Sequence, residues 1–312
     1  MTHSHSKGLL SATLTQFVSI TVVVTALGAS TIPWAAAQTD WNKVATALGK
    51  SGTVMPGGVY RVGLPRTDLN VTLDGVKLKP GFALGSWLAF RTDGDETMVM
   101  GDLVLTDTEI APVMTKLADV GINITALHNH LLRAQPATYY MHVLGHGSDA
   151  MKLATAFHVA LVLSKTPLGD ATAANAAAPQ AIDLDTAMID GTLGAKGRAV
   201  GGIYQFGIPR AETVKDGGMD VPVAMGSGEA INFQPTGNGR AAITGDFVLT
   251  AAEVNPVLHA LRANGIEVTA LHNHMLDDQP RLFFMHFWAN DDAQKLAKGV
   301  RAALDKINIT RS

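Results

Sequence analysis

The sequence predicts an α+β fold made twice: two tandem homologous units, each a mostly antiparallel sheet with helices packed on one face. Three observations carry this. First, ALHNHLLRAQPATYYMH at 126–142 returns as ALHNHMLDDQPRLFFMH at 270–286. Second, VYRVGLPR at 59–66 matches IYQFGIPR at 203–210, and GDLVLTDTEIAPV at 101–113 matches GDFVLTAAEVNPV at 245–257. Third, the offset is constant, with Tyr60 and Tyr204, Gly101 and Gly245, and His128 and His272 each 144 residues apart. Self-similarity at a fixed period marks one folding unit written twice.

Within the first unit, 59–64 reads as a strand ended by Pro65, and 83–90 and 97–105 as two more. A helix follows over 106–119 and stops at Gly121. Thr106-x-x-Glu109 and Thr250-x-x-Glu253 both spell a capping box, which assigns these glutamates to helix starts. Pro112 and Pro256 inside that helix predict a kink or a delayed start. Residues 122–132 read as extended, RAQP as a short turn and 138–145 as the returning strand. Ser148 is the expected cap of a last helix over 149–164. The second unit repeats this grammar. TPLGDATAANAAAPQ reads as an Ala/Pro-rich linker. The domain plan is therefore 1–37 signal peptide, 38–165 repeat unit 1, 166–180 linker and 181–312 repeat unit 2.

Of the 312 residues, 47% are apolar and 16% charged, which suits a compact globular chain. The formal charge is −3 with no basic block, which excludes nucleic acid as a partner. The chain has no cysteine. That removes disulfides, thiolate ligands, a thiol nucleophile and a lipid-bearing cysteine. A weakly positive start at Lys7, an apolar stretch over 9–27 and small residues at Ala35 and Ala37 read as a secretory signal cut before Gln38. An uncleaved membrane anchor is the alternative reading of so long an apolar stretch. Cleavage implies a periplasmic or secreted protein with no membrane partner, and His3 and His5 would leave with the signal.

Strand parity gives the site. Side chains alternate faces, so His128 and His130 share a face, and a short turn returns His142 to it. The same count unites His272, His274 and His286. Tyr140 and Leu144, and Phe284 and Trp288, fall on the histidine face, a mixture that resembles a ligand pocket. Met141, Met285 and Met275 point away and read as core filler, which argues against a copper site built on methionine. Three neutral imidazoles with an open fourth position suit zinc, and copper, nickel or iron would also accept them. A metal-free pocket and a purely structural role stay open. Arg66 and Arg210, each ending a GLPR-type strand, offer a planar fork for a carboxylate or phosphate, or else a salt bridge at a turn. Asp102 and Asp246 either orient a ligand histidine or serve a turn.

The GDLVLT, ALHNH, P and MH blocks, with their second copies, resemble the LppY/LpqO-related family of exported bacterial proteins of unknown function. That resemblance covers most of the mature chain and implies export, but no chemistry. Its named members look like lipoproteins, which need a cysteine that this chain lacks, so a soluble form is expected. The function expected is an exported protein with a His-rich pocket in each repeat, or one site shared at a pseudo-twofold between them, binding a transition metal or small ligand. The second pocket is expected to be drier than the first. Two alternatives remain: a metal-dependent hydrolase or lyase on a small or cell-envelope substrate, and a metal-free sugar- or peptide-binding module. No nucleophile triad, phosphate loop or nucleotide fingerprint favours the enzyme.

Overall fold

A computed structural model describes residues 39–169 and 181–310. The expected signal segment and residues 170–180 of the expected linker lie outside the described residues. No helix among the described residues is long and apolar enough to cross a membrane.

Each repeat forms a six-stranded antiparallel sheet with the same strand order. In the first the order from edge to edge is Thr53–Met55, Val59–Pro65, Gly85–Asp93, Glu96–Leu105, Tyr139–Gly147 and Asn123–His128. In the second it is Arg198–Val200, Ile203–Pro209, Gly228–Gly237, Arg240–Thr250, Leu282–Asp292 and Glu267–His272. The helix Asp107–Asp119 carries the chain from Glu96–Leu105 to the far edge, and Tyr139–Gly147 then inserts between those two strands. Ala251–Ala263 does the same in the second repeat.

Parity divides each sheet into two buried faces. From Glu96–Leu105, Val99, Leu103 and Leu105 join a core with Val113 and Leu117 of the crossing helix and Leu153 and Phe157 of Ala150–Leu161. Met98, Met100 and Val104 point the other way and meet the opposite repeat: Val248, Leu282 and Phe284 in one cluster, Ala242 and Trp288 in another. The result is four layers, helices outside and two sheets inside. Met141 and Met285 lie in the helix-side cores. Met275 does not: it is buried between the sheets beside Phe284, because the chain has left the strand before reaching it.

Each repeat also sends an arm across the other. In the first, Lys79 N donates to Gln234 Oε1 at 2.9 Å and Lys79 Nζ to the Gly202 carbonyl at 2.8 Å. In the second, Ala224 and Asp220 offer carbonyls to Arg61 and Arg91. At the base of each arm sits a buried arginine. Arg66 donates to Asp68, to the Val104 carbonyl and to Glu109, at 2.8 Å from Glu109 Oε2. Glu109 in turn accepts from the N–H groups of Thr106 and Lys165. The pair ties arm, strand end, helix cap and following segment together. Arg210 and Glu253 repeat it with Val248, Thr250 and Asn308.

Three local expectations are corrected. The last helix of the first repeat is capped by Asp149, which accepts from Met151 N and Lys152 N; its carboxylate reaches both orphan amides. Pro112 does not delay its helix, which starts at Asp107 with the capping box formed. The extended segment ends at His128, because Asn129 Oδ1 accepts from Leu131 N and turns the chain.

Breaking a buried ion pair strands the surviving charge, at about 3–5 kcal/mol. Arg66→Ala is expected to destabilise by about that much in urea denaturation. Glu109 adds a pH test. Burial pushes its carboxyl up, but the bonds from Arg66, Thr106 and Lys165 outweigh burial and hold it at about 2, against its ordinary 4.5. The folded state therefore takes the proton less readily than the unfolded chain. The stabilisation is complete above the ordinary value and is lost as pH falls through the folded one. Glu109→Gln should melt lower than the parent near neutral pH and lose less of its Tm between about pH 5 and pH 2.

Candidate metal centre

The sheet register builds the site. Across the inner face of the first sheet, Trp87 opposes Asp102, Asp102 opposes His142, and His142 opposes Ala126. His128 lies two pairs further along, on the same face, opposite Tyr140. A register shift between Ile124 and Ala126 keeps these side chains inward, and an equivalent shift lies between Val268 and Ala270. Asp102 and Asp246 thus sit in mid-strand inside the protein and serve no turn.

The structure brings all six predicted histidines into a single cluster, where the sequence left open a pocket in each repeat or one shared between them. His128 and His272 stack at its centre with ring centroids 3.5 Å apart. Around them the contacts cross between repeats. His130 lies 3.5 Å from His286 but 6.3 Å from His142 of its own repeat. His142 lies 3.7 Å from His274. Each contact has its counterpart under exchange of the repeats, the mark of a twofold interface. The carboxylates close the ring: Asp246 Oδ2 is 3.3 Å from His274 Nε2 and Asp246 Oδ1 is 3.7 Å from His286 Nε2. Asp102 stands equivalently toward His130 and His142. The expectation of two sites, the second drier, is thereby corrected. Parity decides which face a side chain takes, and here that face is covered by the other repeat.

The orientation of the rings is fixed from behind. His286 Nδ1 is 2.9 Å from the Gly245 carbonyl. A carbonyl only accepts, so Nδ1 carries the hydrogen and Nε2 keeps its lone pair. His142 makes the same backbone bond to Gly101. Both glycines are needed at these positions for space. A Cβ on Gly245 would stand 2.2 Å from the Ala230 carbonyl oxygen, and one on Gly101 2.6 Å from that of Trp87.

Burial pushes every one of these histidines below its ordinary range, His128 to about 4 and His286 to about 3, and neighbouring imidazoles add to it for all but His128. They are neutral at neutral pH, as metal ligation requires. Burial likewise pushes the Asp102 carboxyl up to about 8, with the Arg61 charge opposing, and raises Asp246. The Nε2 atoms of all six histidines, and Nδ1 of His128 and His272, are buried without a hydrogen-bond partner. Their ligand atoms form overlapping groups, each within 4.8 Å: His128, His130, His272 and His286; His142, His272 and His274; and each aspartate with two histidines.

A family match covers both repeats, at residues 42–162 and 187–306. The chain belongs to the family described as Domain of Unknown Function (DUF1259). No curated protein matches the chain. Among solved structures, a trimeric bacterial microcompartment shell protein, PduB, is 14% identical over 85% of this chain and 97% of its own, with a TM-score of 0.22. EtuB from Clostridium kluyveri is 8% identical over 83% of this chain and 90% of its own, with a TM-score of 0.20.

The other expected site residues divide. Tyr140 stacks on His130 at 3.4 Å and donates to the Ala83 carbonyl; Phe284 stacks on His274 at 3.4 Å. Trp288 is not a pocket wall, since its Nε1 donates to Asp74 and its ring packs edge-on to Phe82 in the layer between the repeats. The guanidinium groups of Arg66 and Arg210 are buried and committed to the arm-base pairs, away from the histidine cluster. A cavity of about 840 Å³ opens beside the cluster instead, with Arg61, Trp87, Gln205 and Glu229 in its wall. Sequence reasoning missed these four. Arg61 was findable, because it alternates with the core residues Tyr60, Val62 and Leu64. Trp87 and Glu229 fall where the two copies need gaps to align.

Gly245→Ala is expected to destabilise by about 1–3 kcal/mol or more, since the new methyl group meets backbone that cannot yield. Urea denaturation of the parent and the variant measures it, and an unchanged midpoint would contradict the packing described.

Proposed function

We propose that this is an exported protein whose two repeats together bind a transition metal of the zinc type in one shared histidine centre. The observation that carries the reading is the convergence of unpartnered, buried ring nitrogens from both repeats. Each buried polar atom without a partner costs about 1–3 kcal/mol, and a bound cation removes that cost. Histidine groups of three and four suit zinc, while copper, nickel and iron accept the same donors. Export is supported by the apolar segment 9–27 and the Ala-x-Ala site after it, and by the resemblance to the LppY/LpqO-related family. After cleavage the partners are a metal ion and a small molecule.

A second reading, a metal-dependent hydrolase or lyase, is favoured by Asp102 and Asp246. Each stands among two histidines at the edge of the cavity, where a carboxyl raised by burial can exchange a proton. Binding ranks first, because it needs only the donor set.

Elemental analysis of untagged protein purified from its own compartment tests the proposal. The parent should carry metal. The double variants His128→Ala with His130→Ala, and His272→Ala with His274→Ala, should each lose all of it, because each removes donors from a common centre. Retention of half the metal by either variant would mean independent sites. A metal-free parent, with both variants unfolded, would overturn the metal reading in favour of a structural cluster.

A further inference from the structure

The two sheet rows that flank the cavity match closely, and the rows and the residues beside them depart at two places. Across the first sheet, Gly63, Trp87, Asp102 and His142 lie side by side. Across the second, the row is Gly207, Ala230, Asp246 and His286. The rows differ where Trp87 faces Ala230, and beside them Arg61 stands where the second repeat has Gln205. Arg61 lies over the Trp87 ring with Cζ 4.0 Å from its centroid, and its Nη1 donates to the Ala224 carbonyl. Unlike Arg66 and Arg210, it has no carboxylate within ion-pair distance among the described residues; Asp102 acts on it only through space. A guanidinium carries five N–H donors, so most of the Arg61 fork is uncommitted.

The opposite floor is bare. Gly207 and Ala230 line the cavity, and a Cβ built on Gly207 meets nothing within 4 Å. The backbone there is an ordinary strand that any residue adopts, so neither conformation nor packing demands glycine. The room it leaves continues to His130, His274 and His286 in the same cavity, past apolar wall residues such as Met55 and Phe206.

We propose that this cavity binds a small organic oxyanion, its carboxylate or phosphoryl group held by the Arg61 fork and its flat apolar body lying between Trp87 and the floor of Gly207 and Ala230. The inner end of that ligand points at the histidine cluster, and this part alone rests on the metal reading. A planar fork matches an oxyanion with two parallel bonds, and the half-buried setting strengthens them relative to open water. Trp87 supplies a face both for the guanidinium and for the ligand body. Two strand spacings separate Trp87 from His142, about 10 Å, a span that an aryl oxyanion with one further polar group covers.

Calorimetric titration of the full chain with benzoate, phenyl phosphate and neutral benzamide tests this, with metal content measured on the same samples. The parent should bind at least one anion saturably, and the better of the two identifies carboxylate or phosphoryl recognition. Benzamide should bind about tenfold more weakly or worse, the loss expected for a charge-assisted pair. Arg61→Gln should lose about as much. Gly207→Val should lose binding while keeping the parent's melting temperature and metal content. No binding of either anion, equal binding of benzamide, or an Arg61→Gln protein that binds like the parent would each overturn the proposal. Should Arg61→Gln fail to fold, a folded Gly207→Val that still binds the anion overturns it alone. Anion binding by a metal-free parent would leave this subsite standing and the metal reading fallen, and bound metal without anion binding the reverse.

Discussion

Each sheet in this protein has two faces to bury, and its own helices cover only one. The other face can be removed from water only by the second repeat. Met98, Met100 and Val104 on one side, and Val248, Leu282 and Phe284 on the other, form the apolar part of that seal. At roughly 25 cal/mol per Å² of apolar surface, such a contact supplies the drive that holds the repeats together. The duplication therefore does structural work before it does chemical work. One copy alone would leave a methionine- and aromatic-rich sheet face in solvent.

That seal also traps polar residues. Asp102, His142 and His286 are buried in the middle of rows whose other positions are apolar, and Asp246 keeps only a small exposure, so the cavity beside the cluster is their route to water. Away from that opening they are satisfied by one another, by backbone, or by a ligand. The Gly101 and Gly245 carbonyls satisfy one side of His142 and His286 and leave the other side aimed inward. Burial keeps the imidazoles neutral and the carboxyls raised, so the cluster carries little charge of its own in the absence of a cation. Low charge, many lone pairs and closure from both sides together describe a site suited to a soft or borderline metal.

The arms set how far the two halves can diverge. Arg66 with Glu109, and Arg210 with Glu253, hold arm, cap and strand end in the same arrangement in both copies. Near the cluster the reciprocal contacts demand equivalence, because each ring packs on a ring of the other copy. Two strands away that demand lapses. There Arg61 and Trp87 stand where the second repeat has Gln205 and Ala230, and a symmetric centre opens into an asymmetric cavity.

By itself the sequence determined the repeat, the strand–helix–strand–strand–helix order, the capping boxes and the common face of His128 with His142 and of His272 with His286; His130 and His274 lie beyond the strand ends, where parity no longer applies. These depend on local geometry: a period of two along strands, a fixed spacing in a helix start, a constant offset between copies. It did not determine what the histidine face packs against, so His128 and His272 could not be read as neighbours. Nor could it show that Arg66 is buried against Glu109, 43 residues on, while Arg61, five residues earlier, is left with an open fork. Trp288 looked like a pocket aromatic because parity gives its direction, yet an arm from the other repeat supplies its partner, Asp74. Tertiary structure decided each of these, because parity and propensity act within one element, and burial and pairing depend on the surface brought to it from elsewhere in the chain.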